Sequence, residues 1–424
     1  MTKLGRYIHR IGFVQELNAL HGNQRICIFM QPIWAVLYNL YAPYASLYMM
    51  NLGLSDVEIG SLSSLGLFLQ IFTALFGGVV IDRLGRNRAT LIFDLLSWSL
   101  PCLLWGLAQG LGSFTAAALF AAFAPISANS IVSLLVEDCP KEQLLSVYAF
   151  WSATGYIAAF FTPISMMMVA SLGVVPAMRI LYLTMFVMIT AKFISFYFLC
   201  RETTVGKRRM EESKGQPVLA SFRGYGAVLS SMLRTPEIRV TLVLAILLNI
   251  AGVMSGNFFA IHITQTLGVR QEAVAAFPMV KSFLMLMVVL FVQRRLNRLS
   301  YRRVMLAGAV LYVAAYACLL LARKEALWPL GIYIVCESLG QALLFPRKDS
   351  LITVSINPEE RSRILSLIHV FTVGVSMPFG TIGGLLSSAG RQFPFVAALL
   401  VYFCCVLLLA LSPVMRRGKA QQSV

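Results

Sequence analysis

The chain alternates between long apolar segments and short polar ones along almost its whole length. Twelve apolar segments approach or exceed the roughly 20 residues with which a helix crosses a bilayer. Numbered in chain order, we predict spans at about 26–50, 56–81, 89–109, 114–136, 143–170, 176–200, 237–262, 273–293, 303–322, 327–346, 360–388 and 392–412. Since backbone groups in lipid must bond internally, this pattern predicts an all-α integral membrane protein with twelve transmembrane helices.

The twelve spans fall into two groups of six. Our predicted boundaries are a cytoplasmic amphipathic N-terminus at 1–24, a six-helix bundle at 25–200, a cytoplasmic central loop at 201–235, a second six-helix bundle at 236–413 and a cytoplasmic tail at 414–424. The second half repeats the first, because Leu52-Gly53-Leu54 after span 1 matches Leu267-Gly268-Val269 after span 7, 215 positions later. Such a repeat indicates two pseudo-symmetric bundles.

Composition and charge agree with a membrane protein. Of all residues 58% are hydrophobic and 12% are charged, which leaves too little polar surface for a water-soluble fold. The net charge is +17, yet 28 of the 35 Lys and Arg fall in segments that face the cytoplasm when both termini lie there. We therefore predict a multi-pass protein of the plasma (cytoplasmic) membrane that contacts membrane lipids, is a monomer and binds no nucleic acid.

Enzymatic motifs were not found in the sequence. The eight cysteines show no metal-ligand spacing. We also find no phosphate-binding loop and no pairing of a nucleophile with a base. The sequence therefore predicts a protein that is not an enzyme and that needs no cofactor and no metal.

A short charged turn joins spans 2 and 3. It reads Gly78-Val79-Val80-Ile81-Asp82-Arg83-Leu84-Gly85-Arg86-Asn87-Arg88 and closely resembles the signature between helices 2 and 3 of the major facilitator superfamily. The resemblance extends over essentially the whole chain and implies the major facilitator fold.

In that superfamily the turn takes part in gating. The resemblance implies that Asp82 contacts the start of span 11 in the outward-facing state and that Arg83 or Arg86 pairs with Glu137 or Asp138. We expect Gly78 to allow close approach of a neighbouring helix. The gating motif then comprises Gly78, Asp82, Arg83, Gly85, Arg86, Arg88, Asp138 and Asn357. The alternative is a basic loop without a gating role.

Four ionisable side chains lie deep in predicted spans, where each is costly unless it is paired or faces water. Asp94 and Lys192 lie about 9 and 12 Å from the cytoplasmic ends of spans 3 and 6, at 1.5 Å per residue. Lys281 and Glu337 lie at matching depths from the outer ends of spans 8 and 10. We predict two ion pairs, a structural Asp94–Lys192 pair and a Glu337–Lys281 pair that is a candidate for proton coupling, because span 10 lines the central cavity in the superfamily.

Uncharged polar side chains occur on the spans that line this cavity in the superfamily. Each alone is more often an interhelical hydrogen bond than a ligand contact. Together they predict a modestly polar substrate cavity formed by Asn39, Asn129, Asn249, Asn257, Tyr333, Gln341 and His369. A separate stripe of Tyr41, Tyr44 and Tyr48 on span 1 is expected to anchor that helix at the membrane interface.

These features favour a secondary active transporter. We expect it to move a small solute by alternating access, with protons as the coupling ion, and to export drug-like or metabolite compounds. Since no arginine lies near the middle of a span, anionic organic phosphates are disfavoured, which leaves a neutral or cationic, partly hydrophobic solute. The alternatives are an uptake symporter or uniporter for a neutral nutrient and, in another class, a non-transporting membrane sensor or a lipid scramblase on the same fold.

Overall fold

The computed structural model describes residues 20–140, 143–214, 225–292, 299–355 and 361–412. These residues form helices and short connections, with one isolated bridge between Arg323 and Ala326 and no strand in the described ranges. Eleven of the described helices are long and apolar enough to cross a membrane. The predicted all-α membrane fold is therefore confirmed.

Spans 1–6 make up the first half of the molecule. Their bounds are Gly22–Asn51, Asp56–Leu84, Arg86–Gly106, Leu111–Val136, Phe150–Leu172 and Val174–Leu199. The helix of span 5 starts earlier, at Leu144. Span 2 begins at a capping box in which Ser55 and Glu58 exchange hydrogen bonds. Positive φ at Gly53, Gly85 and Gly173 permits the tight turns that join these helices.

The second half contains spans 7–12. Five of them are Pro236–Gln265, Tyr301–Leu321, Trp328–Asp349, Leu367–Ala389 and Phe393–Leu411. Span 8 is helical over Ala276–Met287 and Val288–Val292, where the described range ends. The helix of span 10 continues to Ser355, beyond its predicted end at 346, because Pro346 lies inside the helix without ending it.

Two short helices in the central loop, Thr204–Glu212 and Tyr225–Arg234, lie between the halves in sequence. The predicted amphipathic segment at 1–24 is described only from residue 20, and the tail at 414–424 lies outside the described residues. We call the end of the molecule at which span 1 begins and span 12 ends the inner side. The opposite end is the outer side.

The two halves contact one another closely on the outer side, where span 2 packs against span 11. The approach is at backbone level, since a Cβ at Gly380 would lie 2.7 Å from the carbonyl oxygen of Gly60, and one at Gly384 would lie 2.6 Å from that of Asp56. Asp56 accepts hydrogen bonds from Ser387 at 2.7 Å and from Arg391 at 3.1 Å. We call these six residues, Asp56, Gly60, Gly380, Gly384, Ser387 and Arg391, the outer closure.

Further contacts close the same side. The Ser64 hydroxyl donates to the Met377 carbonyl at 2.6 Å, and Asn257 donates to Ser63 at 2.9 Å. Tyr44, in span 1, donates to the Glu272 carbonyl of the other half at 2.7 Å. Each bond spans the boundary between the halves, so the outer end of the space between them is sealed in this conformation.

The tyrosines of span 1 differ from the expectation. Tyr44 and Tyr48 are fully buried, and Tyr48 donates to the Trp105 carbonyl at 2.9 Å. Tyr41 packs against Tyr182 with ring centroids 4.6 Å apart. The prediction of interfacial anchoring is wrong, because the helical spacing that forms a stripe also points that stripe into the bundle core.

Candidate functional site

A cavity of about 1320 Å³ lies between the two halves. It is bounded on the outer side by the contacts described above and extends inward to Lys348, Asp349 and His369. Because the outer end is sealed and the lining reaches the inner part of spans 10 and 11, we refer to this conformation as inward-facing. We call this space the central cavity.

Six of the seven residues predicted for the substrate cavity line the central cavity. They come from spans 1, 7, 10 and 11 and comprise Asn39, Asn249, Asn257, Tyr333, Gln341 and His369. Asn129 does not line it and borders a second cavity, which is lined mainly by the first half. The helices of the two bundles therefore bring together residues that are as far apart in sequence as Asn39 and His369.

Lys281 and Glu337 lie on the wall of the central cavity. The Lys281 ammonium donates to Glu337 Oε1 at 2.6 Å, so the ion pair expected from their matching depths is present. Their side chains are 30% and 14% exposed, which leaves the pair in contact with the cavity. A charge pair in this position can be opened by a ligand or by a proton without unfolding the bundle.

An aromatic group surrounds this ion pair, and sequence reasoning missed most of it. Tyr312 stacks on Tyr402 with centroids 4.4 Å apart, and Phe259 stacks on Tyr333 at 5.3 Å. Tyr316 donates to Ser255 at 2.7 Å. All five rings line the central cavity. The spacing of Tyr312 and Tyr316, one helical turn apart on span 9, is the signal that could have found them.

The second cavity, of about 930 Å³, is lined mainly by the first half and also by span 11. It shares Gln70 and His369 with the lining of the central cavity. Its wall also contains Asn129, Asp94 and Lys192. The two residues predicted as a structural ion pair are therefore placed at a cavity rather than in a solid helix interface.

Asp94 and Lys192 correct the prediction of a direct ion pair. Among the described residues no lysine or arginine nitrogen lies within 4 Å of the Asp94 carboxylate. Asp94 instead accepts a hydrogen bond from Ser127 of span 4. The Lys192 ammonium lies 4.6 Å from the centroid of the Phe193 ring. Depth along a helix could be predicted, but not the direction in which each side chain leaves it.

At the charged turn Arg86 is the central residue. It is almost fully buried and contacts Asp82 at 2.9 Å and Glu137 at 3.1 Å. The expected pairing between the turn and the end of span 4 is therefore made by Arg86 with Glu137, whereas Asp138 accepts hydrogen bonds from Thr204. Arg83 and Arg88 are exposed.

Glu202 fixes the start of span 3 at this turn. Its carboxylate accepts from the backbone N–H groups of Arg86 and Asn87, both at 2.9 Å, where the helix dipole favours a negative charge. Gly85 has φ +84°, and a Cβ there would meet Glu202 at 2.6 Å. The sequence analysis missed Glu202, because a carboxylate 116 positions away gives no local pattern.

Two gating residues stand apart from these contacts. Among the described residues, a Cβ at Gly78 would meet no atom within 4 Å, so they do not make the close helix approach expected there in this conformation. Gly78 instead borders the second cavity. Asn357, the expected partner of Asp82, lies outside the described residues. The contact between Asp82 and the start of span 11 remains a prediction for the outward-facing state.

Comparison with known proteins identifies the family. The sequence profile of the Major Facilitator Superfamily matches residues 29–321 and 242–423. The chain belongs to the Major Facilitator Superfamily. No curated protein matches the sequence at a significant level.

Solved structures share the superfamily fold over nearly the whole chain. The nucleoside transporter NupG is 14% identical with a TM-score of 0.68, covering 94% of this chain and 100% of that one. A POT family transporter in complex with 5-aminolevulinic acid is 14% identical with a TM-score of 0.70, covering 92% and 96%. The human organic anion transporter MFSD10 is 15% identical with a TM-score of 0.63, covering 91% and 99%. At these identities the likeness shows the fold, and the superfamily membership shows a transporter.

Proposed function

We propose that this member of the superfamily is a secondary active transporter that moves a small solute by alternating access and couples that movement to protons. One observation carries the proposal: a cavity of about 1320 Å³ between the halves is sealed at one end and has an ion pair on its wall. A solute site at the interface of two repeats is the arrangement from which rocking of one half against the other exposes the solute to either side.

Glu337 is the proposed proton-coupling residue. Its carboxylate is neutralised by Lys281 in this conformation, and four tyrosines lie around the pair. When a proton binds Glu337, the attraction between the two residues is lost and Lys281 is released. Protonation can therefore change the shape and charge of the cavity wall, which is what coupling requires.

The cavity wall favours a solute that is neutral or cationic and partly hydrophobic. Its acidic and basic side chains form the pairs Lys281–Glu337 and Lys348–Asp349, so the described wall presents no unpaired arginine to an anionic phosphate. The amides of Asn39, Asn249 and Asn257 supply hydrogen bonds, and the aromatic rings supply apolar area. Drug-like or metabolite compounds of this kind are the proposed cargo.

The gating proposal concerns the inner side. In the inward-facing state Arg86 holds Asp82 and Glu137 together within the first half. We propose that Asp82 meets the start of span 11, near Asn357, when the inner side closes. The inner side is proposed to face the cytoplasm, with both termini there, because most lysines and arginines lie in segments on that side.

Transport by purified protein in proteoliposomes tests this function. A panel of radiolabelled neutral and cationic solutes is offered with and without an imposed pH gradient. We expect accumulation of at least one solute to rise with the gradient, and Glu337→Gln to abolish that rise while solute exchange at equal pH persists. Glu325→Gln is the matched control, since Glu325 is exposed on an outer loop and does not line the cavity.

The outcomes separate the alternatives. Proton-driven uptake of a neutral nutrient would identify a symporter rather than an exporter. Transport that does not respond to the pH gradient would indicate a uniporter. A gradient response that survives in Glu337→Gln would refute the role of Glu337. Movement of fluorescent lipid between leaflets without solute transport would favour a scramblase.

A further inference from the structure

Asp94 is the most unusual buried group outside the central cavity. The residue is 3% exposed, and its Oδ1 accepts a hydrogen bond from Ser127. Its other oxygen, Oδ2, is buried and has no hydrogen-bond partner among the described residues. An ionised carboxylate in such surroundings is costly, because burial removes it from bulk solvent and a single described donor compensates its charge.

Lys192 does not neutralise this charge by contact. Its ammonium lies 4.6 Å from the Phe193 centroid and 5.5 Å from the Phe196 centroid, which provides a cation–π environment of its own. No nitrogen–oxygen distance of 4 Å or less joins it to Asp94 in the described structure. The carboxyl group of Asp94 therefore lacks the direct partner that a buried ionised state requires.

The helix around Asp94 is irregular. Residues Leu95–Ser99, directly after Asp94, form a π-helical turn in span 3. Such turns are rare and occur frequently at functional sites. The hydroxyl oxygens of Ser97 and Ser99 in this turn are also buried, with no hydrogen-bond partner in the part of the chain that the structure describes. Span 3 is thus polar and locally distorted at the depth where an unpaired carboxyl group lies.

A route for protons reaches the same place. Asp94 borders the second cavity, whose lining extends along spans 2 and 4 to the charged turn on the inner side. Besides Asp94, this lining contains six charged or titratable groups. They come from spans 2, 3, 4, 6 and 11 and from the central-loop helix Thr204–Glu212, and are Asp82, Arg86, Glu137, Lys192, His369 and Arg209. Arg86 is paired with Asp82 and Glu137, and Arg209 with Glu212, so Lys192 and His369 are the groups without a salt bridge in the described structure.

We propose that Asp94 is a proton-binding site in the first half of the transporter and holds a proton in the inward-facing conformation. The proton comes from water on the inner side, by way of the second cavity. It forms an O–H bond with Oδ2, the carboxylate oxygen without a partner among the described residues, so that the charge of the group changes from −1 to 0 while Oδ1 still accepts from Ser127. The site is separate from the Glu337–Lys281 pair, which lies in the other half.

Infrared spectroscopy tests this proposal without knowledge of the solute. Purified full-length protein in lipid at neutral pH is compared with Asp94→Asn and with Glu337→Gln. We expect a carbonyl-stretch band of a protonated carboxylic acid in the unmodified protein, complete loss of that band in Asp94→Asn, and its retention in Glu337→Gln. Absence of the band from the unmodified protein, or its persistence in Asp94→Asn, would overturn the proposal.

A second variant covers the case in which Asp94→Asn does not fold. Ser127→Ala keeps the carboxyl group and removes its hydrogen-bond partner, so the band should remain and move to higher wavenumber. An unshifted band would assign the proton to another residue and reject the site. Since neither spectrum depends on transport, failure here leaves the test of Glu337 in proteoliposomes independent.

Discussion

The outer closure makes a quantitative prediction for Gly380→Ala. The new Cβ would lie 2.7 Å from the Gly60 carbonyl oxygen and 2.9 Å from the Ser64 backbone nitrogen. Both neighbours are backbone atoms of span 2, so they cannot move aside as a flexible side chain can. Spans 2 and 11 must separate on the outer side to accommodate the methyl group.

The size of the effect follows from the cost of overpacking. An extra carbon in a close-packed interface typically costs about 1–3 kcal/mol. The strain acts on the inward-facing state, in which the two spans touch, and is relieved when the outer side opens. A difference of this size shifts a conformational equilibrium by about 5- to 150-fold, here toward the outward-open state.

Labelling from the outside measures that shift. A single cysteine replaces Ala45, which lines the central cavity, in a protein without its native cysteines. Gly380→Ala should speed its reaction with a membrane-impermeant maleimide added outside by about 5-fold or more. The matched control is Gly374→Ala in the same span, where the nearest described neighbour of a Cβ would be Ile71 at 3.7 Å, an ordinary van der Waals contact. An unchanged rate in Gly380→Ala, or an equal increase in the control, would refute the reasoning.

Three further predictions concern charged contacts. Arg391→Gln removes the 3.1 Å salt bridge to the buried Asp56, so labelling of the Ala45 cysteine should rise, but by less than in Gly380→Ala because Ser387 still donates to Asp56 at 2.7 Å. Lys281→Met leaves Glu337 without its partner and should lower the thermal unfolding midpoint. The double variant Lys281→Met with Glu337→Gln should recover most of this loss, because no unpaired charge remains. Equal midpoints for the single and the double variant would contradict this prediction. Arg86→Ala removes the partner of both Asp82 and Glu137 and should destabilise the protein by about 3–5 kcal/mol, measured by thermal unfolding in detergent. Arg86→Lys should not restore stability, because a lysine ammonium cannot contact both carboxylates as the guanidinium does. The control Arg88→Ala, at an exposed residue, should change stability by about 0.5 kcal/mol or less.

The sequence was sufficient for the membrane architecture because lipid imposes a simple rule. A segment such as 392–412 must bond its own backbone groups, so its length and apolar composition predict the helix Phe393–Leu411. The Lys281–Glu337 pair followed from a similar argument, since two opposite charges at one depth in lipid need one another. Segment length, apolar composition and the depth of a charge along a helix can all be read from positions in the sequence.

Contacts that depend on how helices face one another could not be predicted. Asp56 and Ser387 are 331 positions apart, and their hydrogen bond exists because the two halves meet on the outer side. Asp94 and Lys192 have matching depths, yet Asp94 bonds to Ser127 and Lys192 lies against Phe193. The rotation of each helix about its axis is set by packing with its neighbours, which a single sequence does not encode in any short pattern.

The most direct test of alternating access follows two cysteine pairs in one background. The outer pair replaces Ser61 and Thr381, whose hydroxyl oxygens lie 3.5 Å apart, and the inner pair replaces Asp82 and Asn357. We predict that Gly380→Ala lowers crosslinking of the outer pair and raises that of the inner pair. Simultaneous crosslinking of both pairs in one molecule, or an inner pair that never crosslinks, would contradict the account.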